Sequence, residues 1–167
     1  MTFEEYYGDY YPLLKKAEAD LLERIGSYSS GNTEPELTED TQPIMYVKSR
    51  IKSPESMREK LKRSDLATDA DTAMANMHDA VGVRVVCSFV DNVYQVADWL
   101  GQQAGYEVVE RKDYIAYPKP NGYRSLHLIL RVGNKEFVQK NPSEDALLER
   151  GSTAENVRDA AVQRNSC

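Results

Sequence analysis

The chain of 167 residues is long enough for one domain with a single hydrophobic core. Hydrophobic residues make up 41% of it and charged residues 29%, and it has neither a long apolar run nor a basic signal-peptide start, which excludes a membrane-spanning or exported protein. The net charge of -6 argues against general DNA binding through phosphate charges. We therefore expect a cytoplasmic protein with no membrane and no DNA partner.

The first segment of the chain predicts helix. In residues 3–25, apolar side chains recur at the three- and four-residue spacing of a buried helix face. Pro12 is expected to divide this segment as the first residue of a second helix. Residues 27–43 are rich in Ser, Gly, Thr, Pro and acidic residues, which indicates a loop.

Residues 44–51 predict the first strand, because apolar and basic side chains alternate there. The two faces are expected to separate a core set from an exposed set: Met45, Val47 and Ile51 against Lys48, Arg50 and Lys52. Ser53 and Pro54 then predict the start of a helix, with serine as N-cap and proline in the first turn.

The helix after Ser53 is expected to bury Met57 and Leu61, and residues 64–76 predict a loop with a short helical turn. Residues 81–90 are the most apolar run and predict a central strand. Asp91 is expected to cap the next helix. That helix should bury four apolar residues, namely Val93, Val96, Ala97 and Leu100. A further strand is predicted over residues 106–112.

The segment 113–127 combines a rigid loop with the start of a strand. The Pro-Lys-Pro sequence at 118–120 fixes the backbone, and Asn-Gly at 121–122 allows a tight turn. Residues 123–132 predict a strand with two unlike faces: Tyr123, Ser125 and His127 on one, and Leu126, Leu128 and Leu130 on the other. A purely structural β-hairpin explains this segment equally well.

From residue 133 onward the sequence changes in character. Residues 135–139 are expected to form a short return strand, and a weak helix is expected over 154–164, with too few apolar residues to add much core. We therefore divide the chain into a nucleotide-binding domain, 1–132, and a divergent, poorly ordered tail, 133–167. The order of elements predicts an α+β fold, a mixed β-sheet flanked by helices, whose C-terminal part is atypical or incomplete.

Three groups of residues suit the binding of a small polyanion with a flat ring. In the first, Arg50 and Lys52 leave a strand just before a capped helix that carries Ser56 and Lys60. Converging cations and the free amides of a helix N-terminus both favour phosphate. The alternative is a solvated basic helix face.

In the second group, Asp79 lies just before the start of the apolar strand, and Arg84 lies within that strand. A carboxylate there can hold Mg²⁺ together with substrate phosphates, and a planar guanidinium group can stack on a base. The alternative is a structural ion pair between Asp79 and Arg84.

The third group lies in the rigid loop and the strand after it. Tyr123 can stack on a purine, Lys119 can contact phosphate, and Asn121 or His127 can hydrogen-bond a base or a phosphate. The alternative is a structural role for His127.

Together, residues 46–62, 79–94 and 113–128 resemble the synthetase domain of the RelA/SpoT family, which makes the alarmones (p)ppGpp, and they occur in the family order. The resemblance covers residues 3–132 and is closest to the small single-domain synthetases. It implies a nucleotidyltransferase-like synthetase fold, with ATP and GDP or GTP as partners, and a homo-oligomer, since some small synthetases are tetramers.

The resemblance also implies a reaction and its residues. Pyrophosphate would move from ATP to the 3′-hydroxyl of GTP or GDP, leaving AMP, with Mg²⁺ as cofactor, as in a GTP pyrophosphokinase. The implied catalytic residues are Arg50 and Asp79, the latter as the metal ligand. The implied ATP-binding residues are Arg50 and Arg84 around adenine and Lys52, Ser56 and Lys60 on the phosphates. The implied GTP- or GDP-binding residues are Lys119, Asn121, Tyr123 and His127, with Tyr123 stacked on guanine.

The sequence departs from the family pattern after the third stretch. The family continues with a Glu-x-Gln-Ile-Arg-Thr segment whose glutamate is a metal ligand and proposed general base. The nearest candidate here, Glu136 with Gln139, has a spacing that puts the two on opposite strand faces. An active synthetase and a catalytically impaired nucleotide-binding module therefore both remain open. The acidic net charge disfavours a third function, RNA binding by the basic strand and tyrosines.

Overall fold

The computed structural model describes residues 1–31 and 42–132 and the backbone of residues 156–164. The helices of these residues are Phe3–Tyr7 (α1), Tyr10–Gly31 (α2), Pro54–Arg63 (α3), Ala70–Asn76 (α4) and Val90–Gly101 (α5). The strands are Ile44–Ile51 (β1), Val81–Cys87 (β2), Tyr106–Asp113 (β3), Leu126–Val132 (β4) and Asn156–Arg164 (β5). The predicted α+β class is confirmed. The return strand expected over 135–139 lies outside the described residues.

The strands form one mixed sheet in the order β1-β2-β5-β4-β3. The last of the described strands, β5, lies in the middle of this sheet, parallel to β2 and antiparallel to β4. The helix expected over 154–164 is therefore wrong. The backbone N–H and C=O groups of the apolar strands β2 and β4 need hydrogen-bond partners on the edges that face each other. Residues 156–164 provide these partners as a strand, and this outweighs the weak helical preference of their Ala-rich sequence.

The N-terminal helices break near the predicted position. Gly8, with φ of 51°, ends α1, and α2 begins at Tyr10, so Pro12 lies in its first turn. Residues 27–31, predicted to be loop, continue this helix. The burial of Tyr28 explains the extension, because its ring packs on Trp99 with the centroids 5.0 Å apart.

The start of α3 follows its prediction. Ser53 is the N-cap, with Pro54 at the first turn, and Met57 and Leu61 are fully buried. The predicted cap of α5 is wrong, since this helix begins two residues earlier than a cap at Asp91 requires, after Phe89, and no side chain caps it. Asp91 instead lies in the first turn, where a negative charge interacts favourably with the helix dipole.

The predicted alternation in β1 holds only in part. Lys48 and Arg50 are exposed as expected, whereas the side chain of Lys52 is half-buried against Asp79. Met45, expected in the core, is 46% exposed and does not contribute to it. A register shift between Ile44 and Tyr46 explains the difference, because it breaks the alternation at the start of the strand.

The core lies on the face of the sheet that the helices cover. The buried face of α5 is the predicted one, and the strands contribute mainly aliphatic side chains: Val81, Val83 and Val85 from β2, and Leu126, Leu128 and Leu130 from β4. Within the described ranges, no helix combines the length and the apolar character that crossing a bilayer requires.

Candidate functional site

A polar cleft of about 360 Å³ lies against the strands β1, β2 and β4. Its lining draws on all three of the predicted groups: Lys48, Ser49, Arg50, Asp79, Gly82, Val83, Arg84, Tyr123 and His127. Five predicted site residues are therefore in one cleft, although residues from 50 to 127 of the chain supply them. The other predicted site residues do not line this cleft: Lys52, Ser56, Lys60, Lys119 and Asn121.

The sheet register explains how distant segments meet. Lys48 pairs with Arg84 between β1 and β2, and Ala161 of β5 pairs with Arg84 on one side and with His127 on the other. These four positions form one row across the sheet. Residues opposite one another in a sheet direct their side chains to the same face, so the register places Arg84 and His127 on one face, two strands apart.

The two arginines of the cleft occupy neighbouring positions of β1 and β2. Arg50 is opposite Gly82, and Lys48, two residues before it, is opposite Arg84. Diagonal neighbours in a sheet are within reach of long side chains. Both arginines are exposed, and no acidic side chain of the described residues pairs with either. Among the described residues, no acidic partner has to be displaced before the pair contacts a planar or anionic ligand.

Asp79 pairs with two lysines at the edge of this cleft. Its Oδ2 atom lies 3.0 Å from Nζ of Lys52 and 2.7 Å from Nζ of Lys60. Its Oδ1 atom is buried and accepts no hydrogen bond within the described part of the chain. The alternative expected from the sequence, an ion pair between Asp79 and Arg84, is wrong, because the lysines occupy the carboxylate.

The two lysines also determine the ionisation of Asp79. Burial raises the pKa of this carboxyl group, but hydrogen bonds from Lys60 and Lys52 and the charges of both lysines lower it. The balance leaves the pKa below its ordinary value. Asp79 is therefore a carboxylate at neutral pH.

The backbone of Lys52 is held on both sides. Its N–H group donates to the carbonyl of Ala80 over 2.8 Å, and its carbonyl accepts a hydrogen bond of 2.8 Å from the hydroxyl of Tyr7. Sequence reasoning missed Tyr7, although the run of tyrosines at the start of the chain is a signal that could have pointed to it. Ser56 lies in the first turn of α3, where its N–H group donates to Oγ of Ser53 over 3.3 Å.

The predicted tight turn is present at residues 119–122. The N–H group of Gly122 donates to the carbonyl of Lys119 over 2.8 Å, and Gly122 has a φ of 80°. Asn121 stabilises the turn, because its Oδ1 atom accepts a hydrogen bond of 3.1 Å from the N–H group of Tyr123. The side-chain oxygen of Asn121 thus has a structural partner.

Tyr123 and His127 meet at the cleft, as predicted, with the tyrosine hydroxyl 2.9 Å from Nε2 of the histidine. Tyr114, which sequence reasoning missed, packs edge-on against His127, with the ring centroids 5.3 Å apart. The ammonium group of Lys119 lies over two rings, 4.6 Å from the centroid of Tyr114 and 5.5 Å from that of Tyr123.

Ser125 does not share the face of Tyr123 and His127 and is fully buried. The reason is that β4 begins only at Leu126, so the strand alternation does not extend back to Ser125.

The start of the loop is shaped by Asp113, to which the sequence analysis gave no role. Its Oδ1 atom accepts from the N–H groups of Ile115 and Ala116 over 3.0 and 2.9 Å, and its Oδ2 atom accepts from the hydroxyl of Tyr94 over 2.9 Å. Burial raises the pKa of Asp113, but these hydrogen bonds outweigh it and the pKa is lowered.

Comparison with known proteins matches the chain to one family. The family model described as "Region found in RelA / SpoT proteins" matches residues 49–149. This range includes all three groups of site residues and extends beyond Val132. The GTP pyrophosphokinase YwaC of Bacillus subtilis is 40% identical over 120 residues, which are 72% of this chain and 56% of that protein.

A second relative, the GTP pyrophosphokinase YjbM of the same organism, is 36% identical over 95 residues, covering 57% of this chain and 44% of that protein. The chain thus spans about half the length of the curated relatives it matches.

Solved structures show the same fold. The small alarmone synthetase 2 from Bacillus subtilis matches with a TM-score of 0.65 and 31% identity, over 91% of this chain and 68% of that one. The small alarmone synthetase 1 from that organism has a TM-score of 0.67 at 24% identity, over 92% and 68%. Because the family model covers more than half of the chain, and its range contains all the lining residues of the cleft except Lys48, the chain belongs to the RelA/SpoT family.

Proposed function

We propose that the chain acts as a GTP pyrophosphokinase, moving pyrophosphate from ATP to the 3′-hydroxyl of GDP or GTP and giving (p)ppGpp and AMP. The observation that carries this proposal is the single cleft in which Arg50, Arg84, Tyr123 and His127 meet beside Asp79. Both curated relatives described above are GTP pyrophosphokinases by name. A cytoplasmic location and a homo-oligomeric state belong to the same proposal.

The donor nucleotide would bind at the β1–β2 side of the cleft. Arg50 and Arg84 would hold adenine between their guanidinium groups, since a planar cation stacks well on an aromatic face. Lys52, Lys60 and Ser56 would contact the phosphates, because the two ammonium groups converge within 3.0 Å of one point beside α3.

The acceptor nucleotide would bind at the β4 side, with guanine stacked on Tyr123. Stacking of a base on an aromatic side chain contributes about 1–3 kcal/mol. The hydrogen bond to His127 fixes the orientation of the Tyr123 ring. Lys119 and Asn121, at the turn beside it, would contact the phosphates or the base of the acceptor.

The residues present fit a magnesium ion bound largely by substrate. The described residues contain no cluster of three or more His, Cys, Asp or Glu side chains, but Mg²⁺ commonly binds through one or two carboxylates and substrate phosphates. Asp79 would be this carboxylate, and its buried Oδ1 atom has no other partner within the described ranges. A bound Mg²⁺ would neutralise the charge that develops on the transferred phosphates.

In the proposed transfer, the 3′-oxygen of the acceptor forms a bond to the β-phosphorus of ATP. The bond from that phosphorus to the bridging oxygen breaks, AMP leaves with this oxygen, and the hydroxyl proton passes to a base. The cleft would hold the two nucleotides in line and shield the reacting groups from water. Glu136, the nearest counterpart of the family's proposed base, lies outside the described residues.

The direct test is to incubate the purified protein with ATP, Mg²⁺ and either GDP or GTP. We expect guanosine tetra- or pentaphosphate together with an equal amount of AMP, measured by anion-exchange chromatography. Absence of product at high enzyme concentration would overturn the proposed activity.

A catalytically impaired nucleotide-binding module is the second candidate. Ala161 of the central strand β5 pairs with both Arg84 and His127. Alanine has no titratable side chain, so it cannot act as a base at this position. This candidate predicts saturable binding of ATP or GTP that Arg50→Ala or Tyr123→Ala weakens, without release of AMP.

A further inference from the structure

The two lysines beside the cleft already bind an anion, and that anion is part of the protein. Lys52 comes from the end of β1 and Lys60 from the second turn of α3, yet both ammonium groups contact the same oxygen atom, Oδ2 of Asp79. The carboxylate thus occupies the point on which the two cations converge.

This arrangement is anchored by the surrounding backbone. Hydrogen bonds to the backbone of Lys52 from both sides fix the origin of its side chain, and the capped start of α3 fixes that of Lys60. The side chains of Lys52 and Asp79 are 16% and 21% exposed, so solvent screens their attraction only in part. The cations are therefore positioned before any ligand arrives.

The second carboxylate oxygen of Asp79 indicates that the pairing is not the final state of the site. Oδ1 is buried and accepts no hydrogen bond from the described residues. A buried acceptor without a partner is costly. A cation at this carboxylate would satisfy the oxygen, but the two lysines already supply more positive charge than one carboxylate balances.

We propose that Asp79 is an internal substitute for phosphate, which occupies the lysines in the free protein and is released to a divalent cation when a polyphosphate takes the lysines over. The inference rests on the proposed function in one respect, namely that the natural polyphosphate is the phosphate chain of a nucleotide. Binding of polyphosphate and of metal is then coupled, and the coupling must act equally in both directions.

The proposal predicts that removing Asp79 strengthens phosphate binding in the absence of metal, and other roles for Asp79 do not predict this reversal of sign. Without metal, the carboxylate competes with phosphate for Lys52 and Lys60, so its removal should strengthen phosphate binding. A carboxylate that served only as a metal ligand and did not contact the lysines would have, without metal, only the small effect of a nearby charge, and a residue that only supported the structure would weaken binding when removed.

The test uses inorganic tripolyphosphate as the probe and isothermal titration calorimetry in the presence of EDTA. We expect the full chain with Asp79→Asn to bind tripolyphosphate about tenfold more tightly than the unaltered protein, within the usual range of coupling between sites. Equal or weaker binding by the variant, or no binding by either protein, would overturn the proposal. A thermal melt establishes that the variant is folded.

A second pair of variants tests the proposal if Asp79→Asn is unstable. Lys60→Gln removes one of the two cations on the carboxylate, whereas Lys62→Gln makes the same change of charge at an exposed position of the same helix. Without phosphate, we expect Mn²⁺ to bind Lys60→Gln several-fold more tightly than Lys62→Gln, measured by electron paramagnetic resonance. Equal affinities would overturn the proposal.

Neither measurement depends on turnover. A chain that binds tripolyphosphate with this reversal of sign but makes no (p)ppGpp would contradict the proposed activity and leave the role of Asp79 supported. A chain that makes (p)ppGpp but lacks this reversal of sign would support the proposed activity and contradict the role of Asp79.

Discussion

The hydroxyl group of Tyr7 donates a hydrogen bond of 2.8 Å to the backbone carbonyl of Lys52. Tyr7 is only 1% exposed, and burial raises the pKa of its hydroxyl group, which therefore stays protonated. The contact joins the first helix of the chain to the corner between β1 and α3. It connects a residue that does not line the cleft with the backbone of Lys52, a predicted phosphate-binding residue.

Replacing Tyr7 by phenylalanine is expected to weaken phosphate binding as well as stability. The change leaves the carbonyl of Lys52 without this partner, which typically costs about 1–3 kcal/mol. Tyr6→Phe is the matched control, because its hydroxyl donates to the carbonyl of Thr68 over 3.0 Å, in the segment before α4. Urea unfolding should show both variants destabilised, whereas calorimetry should show several-fold weaker tripolyphosphate binding only for Tyr7→Phe. Equal binding by the two variants would contradict a positioning role.

Two substitutions at Tyr123 separate its ring from its hydroxyl group. Tyr123→Ala removes both and should weaken binding of GDP by about tenfold or more, given about 1–3 kcal/mol for a stacked base. Tyr123→Phe keeps the ring and loses the contact of the hydroxyl group with His127, so a smaller effect is expected. Fluorescence titration with a labelled GDP analogue can measure both. Similar losses in the two variants would show that stacking is not the main contribution.

The ion pairs of Asp79 predict a defined dependence of stability on pH. A pKa below the ordinary value of 3.8 means that the carboxylate stabilises the fold at every pH above about that value. The contribution is lost as the pH falls through the lowered pKa. The difference in unfolding free energy between the unaltered protein and Asp79→Asn should therefore be constant from neutral pH to about pH 5 and should shrink below about pH 4. Urea unfolding across this range checks it, and a change between pH 6 and 8 would contradict the assignment.

Cys87 should be unreactive in the folded protein. It is fully buried in β2, and burial raises the pKa of its thiol to about 12. Since the thiolate is the reactive form, a Cys167→Ser variant should react with a disulfide reagent only as fast as the protein unfolds. Absorbance of the released thiolate, with and without urea, measures this. Rapid labelling without denaturant would show that β2 is not in the core.

The central place of β5 can be tested with proline. Ala160 pairs with Val83 on one side and with Leu128 on the other. Proline cannot donate a hydrogen bond within a sheet, so Ala160→Pro should unfold the domain or destabilise it strongly. Ala160→Ser keeps the backbone donor and serves as the control. Circular dichroism during thermal unfolding checks both, and equal melting temperatures would contradict the strand order.

Local patterns predicted much of this fold. The spacing of Met57 and Leu61 indicated the buried face of α3, and Ser53 with Pro54 indicated its start, because capping depends on neighbours in sequence. The cap of α5 and the helical residues 27–31 were missed, since tertiary packing determines where those helices begin and end.

The central strand illustrates the limit of local reasoning. Residues 156–164 have the composition of a weak helix, and only the pairing with β2 and β4 makes them a strand. That pairing involves residues far apart in the sequence.

The candidate site shows the same division. The residue types of Arg50, Arg84, Tyr123 and His127 indicated phosphate and a flat ring as ligands, and the family resemblance assigned them to one site; the structure brings them together in one cleft. The partners of Asp79 were not predicted, because choosing between Arg84 and the two lysines requires distances that spacing along the chain does not contain.

The place of β5 in the sheet also determines when the cleft can form during protein synthesis. The strands that carry Arg50 and Arg84 leave the ribosome early and can pair with each other, and so can the strands on the other side of the sheet. Within the sheet, the strand that pairs with both halves is formed by residues 156–164. The sheet that carries the donor side and the acceptor side of the cleft is therefore complete only once residues 156–164 have been translated, so that a nascent chain ending before residue 156 is not expected to hold both nucleotides.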